Sequence, residues 1–164
     1  TISKIQFVLT WGDQPADLDS HLSGPDGQGG RFHLYYGNRT APPVNFADLD
    51  IDDTTSLGPE RVTVRKLPGP GGTFVSGEYH YWVHNYSRST FGPTDPNDPA
   101  ATASKAVVTV LVDGVQLGRY RVADAAGNQD DDIWYVVNLQ INTNGTAVAS
   151  VIQMLQPGDE NTLI

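Results

Sequence analysis

Apolar and polar residues alternate with a period of two along most of the chain. In the first such stretch, Ser3 to Trp11, Ile5, Phe7, Leu9 and Trp11 alternate with Lys4, Gln6 and Thr10. Successive side chains of a strand point to opposite faces, so this pattern predicts a half-buried β-strand. Residues 17 to 23 repeat it, with Leu18, Ser20 and Leu22 on one face and Asp17, Asp19 and His21 on the other. Further strands are predicted over 31 to 36, from 46 until Gly58-Pro59 ends the stretch, over 60 to 67, and over 77 to 86, where Tyr79, Tyr81 and Val83 oppose His80, Trp82, His84 and Tyr86. Residues 106 to 112 and 115 to 122 flank Asp113-Gly114, the strongest hairpin signal in the chain, and 132 to 141 turns through Asn144-Gly145 into 148 to 155. The stretch 87 to 104 has three prolines and no periodicity and is expected to be a long surface loop.

About ten short strands without helical periodicity predict an all-β fold, an antiparallel β-sandwich of jelly-roll-like form. The 17 glycines and 11 prolines suit the many turns this needs. A chain of 164 residues can bury one ordinary core, so residues 1 to 164 are expected to be one domain, excised from a larger surface or secreted protein. Cysteine is absent, which removes disulfides and thiolate metal sites. The formal charge of -9 disfavours nucleic acid and anionic membrane surfaces as partners and is compatible with cation binding.

The most informative stretch is Phe46 to Glu60. Asp48, Asp50 and Asp52 share one strand parity, while Leu49 and Ile51 share the other. Carboxylates lined up on one face repel one another, and a hard cation with oxygen ligands would relieve that. Asp17 and Asp19, two residues apart, present the same chemistry on another strand. The expected cofactor is therefore Ca²⁺, held by Asp17, Asp19, Asp50, Asp52 and Asp53, with Asp48 and Glu60 as weaker candidates; the bland alternative is a solvated acidic face. His21, Tyr35, Trp82, His84 and Tyr86 are the candidate ligand surface, with core packing the competing reading for the aromatic members. A second option is a Zn²⁺ or Cu²⁺ site built from His21, His33 and His84.

Familiar motifs are missing. Asp48 to Pro59 begins like an EF-hand loop but has Asp53 where that loop needs glycine and Pro59 where it needs glutamate. Asp19, Ser20 and His21 are the residue types of a hydrolytic triad, yet adjacent strand residues face apart, so Ser20 and His21 cannot share the required hydrogen bond. No nucleophile elbow, phosphate loop or His-Glu-x-x-His motif occurs. These absences argue for a binding protein over an enzyme.

The succession Leu9-Thr10-Trp11, Asp17 to Leu22, Phe32 to Tyr36, Leu49 to Thr54, Gly58-Pro59-Glu60 and Gly77 to Tyr86 resembles the YfaP-like family of bacterial exported domains. A weaker resemblance is to ligand-binding modules of large calcium-dependent bacterial adhesins. Both imply a β-sandwich in an extracellular or cell-surface protein. Taken with the acidic strands, they give the expectation of a monomeric, calcium-dependent recognition module that binds a peptide or glycan. The alternative from another class is a Zn²⁺ or Cu²⁺ metalloenzyme using His21, His33 and His84, and a third possibility is a calcium-stiffened structural spacer.

Overall fold

The computed structural model describes residues 1–12, 17–40, 45–54, 57–86, 105–128 and 130–164. The expected loop at 87 to 104 lies outside the described residues. Ten strands form two five-stranded antiparallel sheets, and the described residues include one short 3-10 turn, Val122–Asp124, but no α-helix.

The first sheet contains β1 (Lys4–Thr10), β4 (Ala47–Ile51), β5 (Glu60–Arg65), β7 (Val107–Val112) and β8 (Val115–Arg121), in the order β4-β5-β1-β7-β8. The second contains β2 (Leu18–Pro25), β3 (Arg31–Leu34), β6 (Gly77–Asn85), β9 (Ile133–Ile141) and β10 (Ala147–Gln156), in the order β10-β9-β6-β2-β3. Four sequential hairpins, β2-β3, β4-β5, β7-β8 and β9-β10, are paired within one sheet or the other. Asp113 and Gly114 both have positive φ, 47° and 80°, as a tight hairpin turn with the right-handed twist of its strands requires.

The alternation read from the sequence sets what lies between the sheets. Ile5, Phe7 and Leu9 from β1 meet Leu18 and Leu22 from β2 and Tyr79, Tyr81 and Val83 from β6 in one core. Phe7 stacks on Tyr81 with ring centroids 4.8 Å apart. The Tyr81 hydroxyl shares a 2.7 Å hydrogen bond with Ser20 Oγ, so the polar group on the inward face of β2 is satisfied. Ser20 is thereby committed to the core, while His21 pairs with His33 on the outer face. The strand geometry separates them as the sequence pattern requires.

The outer face of the second sheet is also covered. Trp82 and His21 are fully buried although neither belongs to the core cluster between the sheets. The C-terminal residues cross this face: Glu160 accepts from the Tyr36 hydroxyl at 3.4 Å, and the Leu163 carbonyl lies 3.1 Å from His80 Nδ1.

Candidate metal centre

The acidic residues meet at one end of the sandwich, where the start of β2, the end of β4 and the start of β5 converge. Glu60 opens β5 on the same parity as Val62 and Val64, so its side chain turns inward and is fully buried. From the first sheet it reaches the second, where Glu60 Oε2 accepts the Ser20 backbone N–H at 2.7 Å. Asp19 is 3% exposed. Asp52 lies just beyond the end of β4. Ligand oxygens of Asp19, Asp52 and Glu60 all lie within 4.8 Å of one another. Ca²⁺ binds oxygen at 2.3–2.6 Å, so ligands around one ion stand up to about 5 Å apart.

Asp17 and Asp53 extend this group, because Asp17 feels the charges of both Asp52 and Asp53. Asp17 Oδ1, Asp52 Oδ1 and Glu60 Oε1 are buried without a hydrogen-bond partner. A buried acceptor with no donor costs free energy, more so when charged. Burial first, and then the charge of Asp17, pushes the Asp19 carboxyl up to about 8. Burial likewise drives Glu60 up to about 9, assisted by Asp19 and Asp52 and opposed by the Ser20 N–H. Without a cation the centre therefore holds protons that carboxyl groups normally release well below neutral pH. Orphaned oxygens, hard donors and suitable spacing fit a divalent cation such as Ca²⁺.

Two acidic residues are placed elsewhere. Asp50 accepts from Arg61 Nε at 2.9 Å and Thr63 Oγ1 at 3.3 Å and is paired with Arg61 Nη2 at 2.8 Å. Asp48 is bound by Arg65. The row of three parallel carboxylates expected from parity is thus divided. A register shift between Leu49 and Ile51 and the end of β4 release Asp52 toward the centre, while the two preceding aspartates face arginines on β5. Glu60, by contrast, is a central member, and its sequence signal was its place in the inward parity of β5.

The candidate ligand surface divides in the same way. His21 and Trp82 are fully buried and stack at 5.2 Å, so they cannot line an open surface. This corrects their expected ligand role, and the physical reason is the layer above β2 and β6. His33 and Tyr35 continue the stack, with centroids 4.5 Å apart. His84 is half-buried, Tyr35 is half-buried and Tyr86 is 50% exposed. His84 and Tyr86, with Asp132 and residues 158 to 161, line a cleft of about 590 Å³. Glu160 adds its charge to Asp19 and was not foreseen. Nothing in the local pattern of the last residues indicates that they return to this face.

The fold and site together define an antiparallel β-sandwich with a carboxylate and imidazole cluster at one end. No protein-family model matches the chain. Among solved structures, it is similar to a homologue of telluride resistance protein (TerD), SCO6318 from Streptomyces coelicolor A3(2), with a TM-score of 0.65, 16% identity and coverage of 97% of this chain and 93% of that one. It is also similar to the unknown function protein SAV2460, with a TM-score of 0.63, 14% identity and coverage of 96% and 92%. These likenesses establish the fold. They overturn the resemblance to the YfaP-like family and to adhesin modules, since the full-length structural matches are to these other proteins. The short motifs behind that resemblance encode an acidic strand, a Gly-Pro turn and a buried glutamate, features of local construction.

Proposed function

We propose that this chain is a calcium-dependent recognition module that acts by binding, not by catalysis. The observation that carries the proposal is the set of buried carboxylate oxygens of Asp17, Asp52 and Glu60 that have no donor. Asp17, Asp19, Asp52, Asp53 and Glu60 would hold the Ca²⁺, whose charge would offset their repulsion and tie β2, β4 and β5 together. Asp19 on β2 pairs in register with His84 on β6, which lines the cleft with Tyr86.

The cleft chemistry favours a hydroxyl-rich ligand. Asp132, Asp159 and Glu160 supply acceptors, and the exposed Tyr86 ring, braced edge-on by Tyr36 at 5.5 Å, supplies a flat apolar face. A glycan on a target surface matches both features. An extracellular, monomeric module is the setting in which such a site meets both its ligand and abundant Ca²⁺. A glycan and peptide array probed in calcium and in EDTA tests the reading. Calcium-dependent capture of glycans, lost in Tyr86→Ala, is expected. Capture of peptides alone would reassign the ligand, and binding to nothing on the array would leave a calcium-stiffened spacer in place of a receptor.

A further inference from the structure

Asp19 belongs to two groups of potential ligands. One is the carboxylate set with Asp52 and Glu60; the other joins it to His21 and His84, again with ligand atoms all within 4.8 Å of one another. We propose that Asp19, His21 and His84 form a second metal site, selective for a first-row transition ion of the Zn²⁺ type, with Asp19 bridging it to the calcium site.

Donor chemistry separates the two halves. Ca²⁺ takes oxygen ligands, whereas imidazole suits Zn²⁺, Cu²⁺ and their neighbours. His21 is fully buried, and its Nε2 has no hydrogen-bond partner. Its other nitrogen, Nδ1, lies 2.9 Å from His33 Nε2. Metal-bound histidines characteristically use the second ring nitrogen to hold a partner that fixes the tautomer and the ring plane. With His21 Nδ1–H donating to His33, the buried and unpartnered Nε2 keeps its lone pair for a metal. Stacking of His21 against Trp82 at 5.2 Å and Tyr35 at 5.4 Å locks the ring further. His33 is then a positioning residue and not a ligand.

Two imidazoles and one carboxylate supply three ligands, the number found in zinc sites that keep a position open. His84 also lines the cleft, so the open position would face the space proposed for the ligand. A transition ion there would let the module grip a carboxylate, imidazole or hydroxyl of its partner directly. The proposal goes beyond the calcium reading, and the two fail independently.

The test is titration of Co²⁺, a spectroscopic stand-in for Zn²⁺, into the full chain with and without saturating calcium. The expected result is uptake of one Co²⁺ with ligand-field bands of a low-coordinate nitrogen and oxygen site. His84→Ala should abolish uptake, and His33→Ala should weaken it by about 10- to 100-fold, the usual effect of losing a supporting partner. Both variants should keep the wild-type response of melting temperature to calcium. In parallel, ¹⁵N imidazole spectra of the unmodified protein with Zn²⁺ should show His21 and His84 shifting while His80 stays fixed. Absence of uptake, uptake unchanged in His84→Ala, or release of one Ca²⁺ for each Co²⁺ bound would each overturn the proposal. Absence of a calcium response with intact cobalt uptake would remove the calcium reading alone.

Discussion

Replacing Glu60 with glutamine should stabilise the metal-free protein and remove much of its response to calcium. Glu60 is fully buried, with one oxygen on the Ser20 N–H and the other without a donor. Its carboxyl is pushed from 4.5 up to about 9, so the metal-free folded state keeps it protonated at pH 7 while the unfolded chain ionises it. Each pH unit above the ordinary value costs about 1.4 kcal/mol, which gives about 3 kcal/mol at pH 7. Ionising it instead sets it against Asp19 and Asp52, whose ligand atoms lie within 4.8 Å. At an effective dielectric constant of about 20, each such pair repels by about 3 kcal/mol. Holding the proton is the smaller of the two, since two such pairs would add to about 6 kcal/mol, and it sets the penalty at about 3 kcal/mol. Glutamine avoids it and still offers an oxygen to Ser20. For a domain of this size about 3 kcal/mol corresponds to a rise of roughly 6 to 12 °C in melting temperature. Thermal unfolding followed by circular dichroism at pH 7, in EDTA and in excess calcium, provides the assay. Glu60→Gln should melt higher than the wild type in EDTA and rise less when calcium is added. A lower melting temperature in EDTA with an undiminished calcium rise would refute the reasoning.

Related outcomes follow from the same geometry. Because Asp19 and Glu60 are raised to about 8 and about 9, the folded metal-free protein binds more protons than the unfolded chain from the ordinary carboxylate range up to those values. Below the ordinary histidine range the lowered His21 and His33 act in the opposite sense, so the melting temperature should fall as pH rises from about 6.5 to about 8, and saturating calcium should suppress that fall. Asp50→Asn should leave the calcium response intact and cost no more than about 1 kcal/mol, since it loses only a partly exposed pair with Arg61. Gly58 has φ 74°, and a Cβ there would come within 2.9 Å of both the Leu9 carbonyl and the Trp11 ring. Gly58→Ala should lower stability by about 1–3 kcal/mol in denaturant melts and weaken calcium binding by displacing Glu60, two residues on.

The strands were legible because each sheet has one face in a shared core, and a period-two pattern reports that directly, as in Ile5-Phe7-Leu9 and Tyr79-Tyr81-Val83. The outer face of β2 and β6 was harder to read. His21 and Trp82 have the parity of exposed residues but are buried in a stack with His33 and Tyr35, and the C-terminal segment reaches the same face at His80 and Tyr36; no local pattern encodes a segment that returns from more than seventy residues away. Parity also gave the acidic strand too much regularity. A register shift near Asp50 and the end of β4 sent Asp52 to the centre, while Arg61 and Arg65 bound its two predecessors. Those arginines alternate with Thr63 on β5, so the pairing was present in the sequence once β5 was placed beside β4. Glu60 was readable as a buried acid from its parity with Val62 and Val64. Its reach across to Ser20 required the three-dimensional fold.

Calorimetric titration of Ca²⁺ into metal-stripped protein, wild type beside Asp52→Asn, tests the carboxylate centre most directly. Asp52 is half-buried and shares its site with Asp19 and Glu60, so its amide should preserve the fold while removing one ligand charge. Saturable binding by the wild type is predicted, weakened by about tenfold or more in the variant as ligand charge is lost. No heat of binding in the wild type, or equal affinity in Asp52→Asn, would contradict a calcium site at this end of the sandwich.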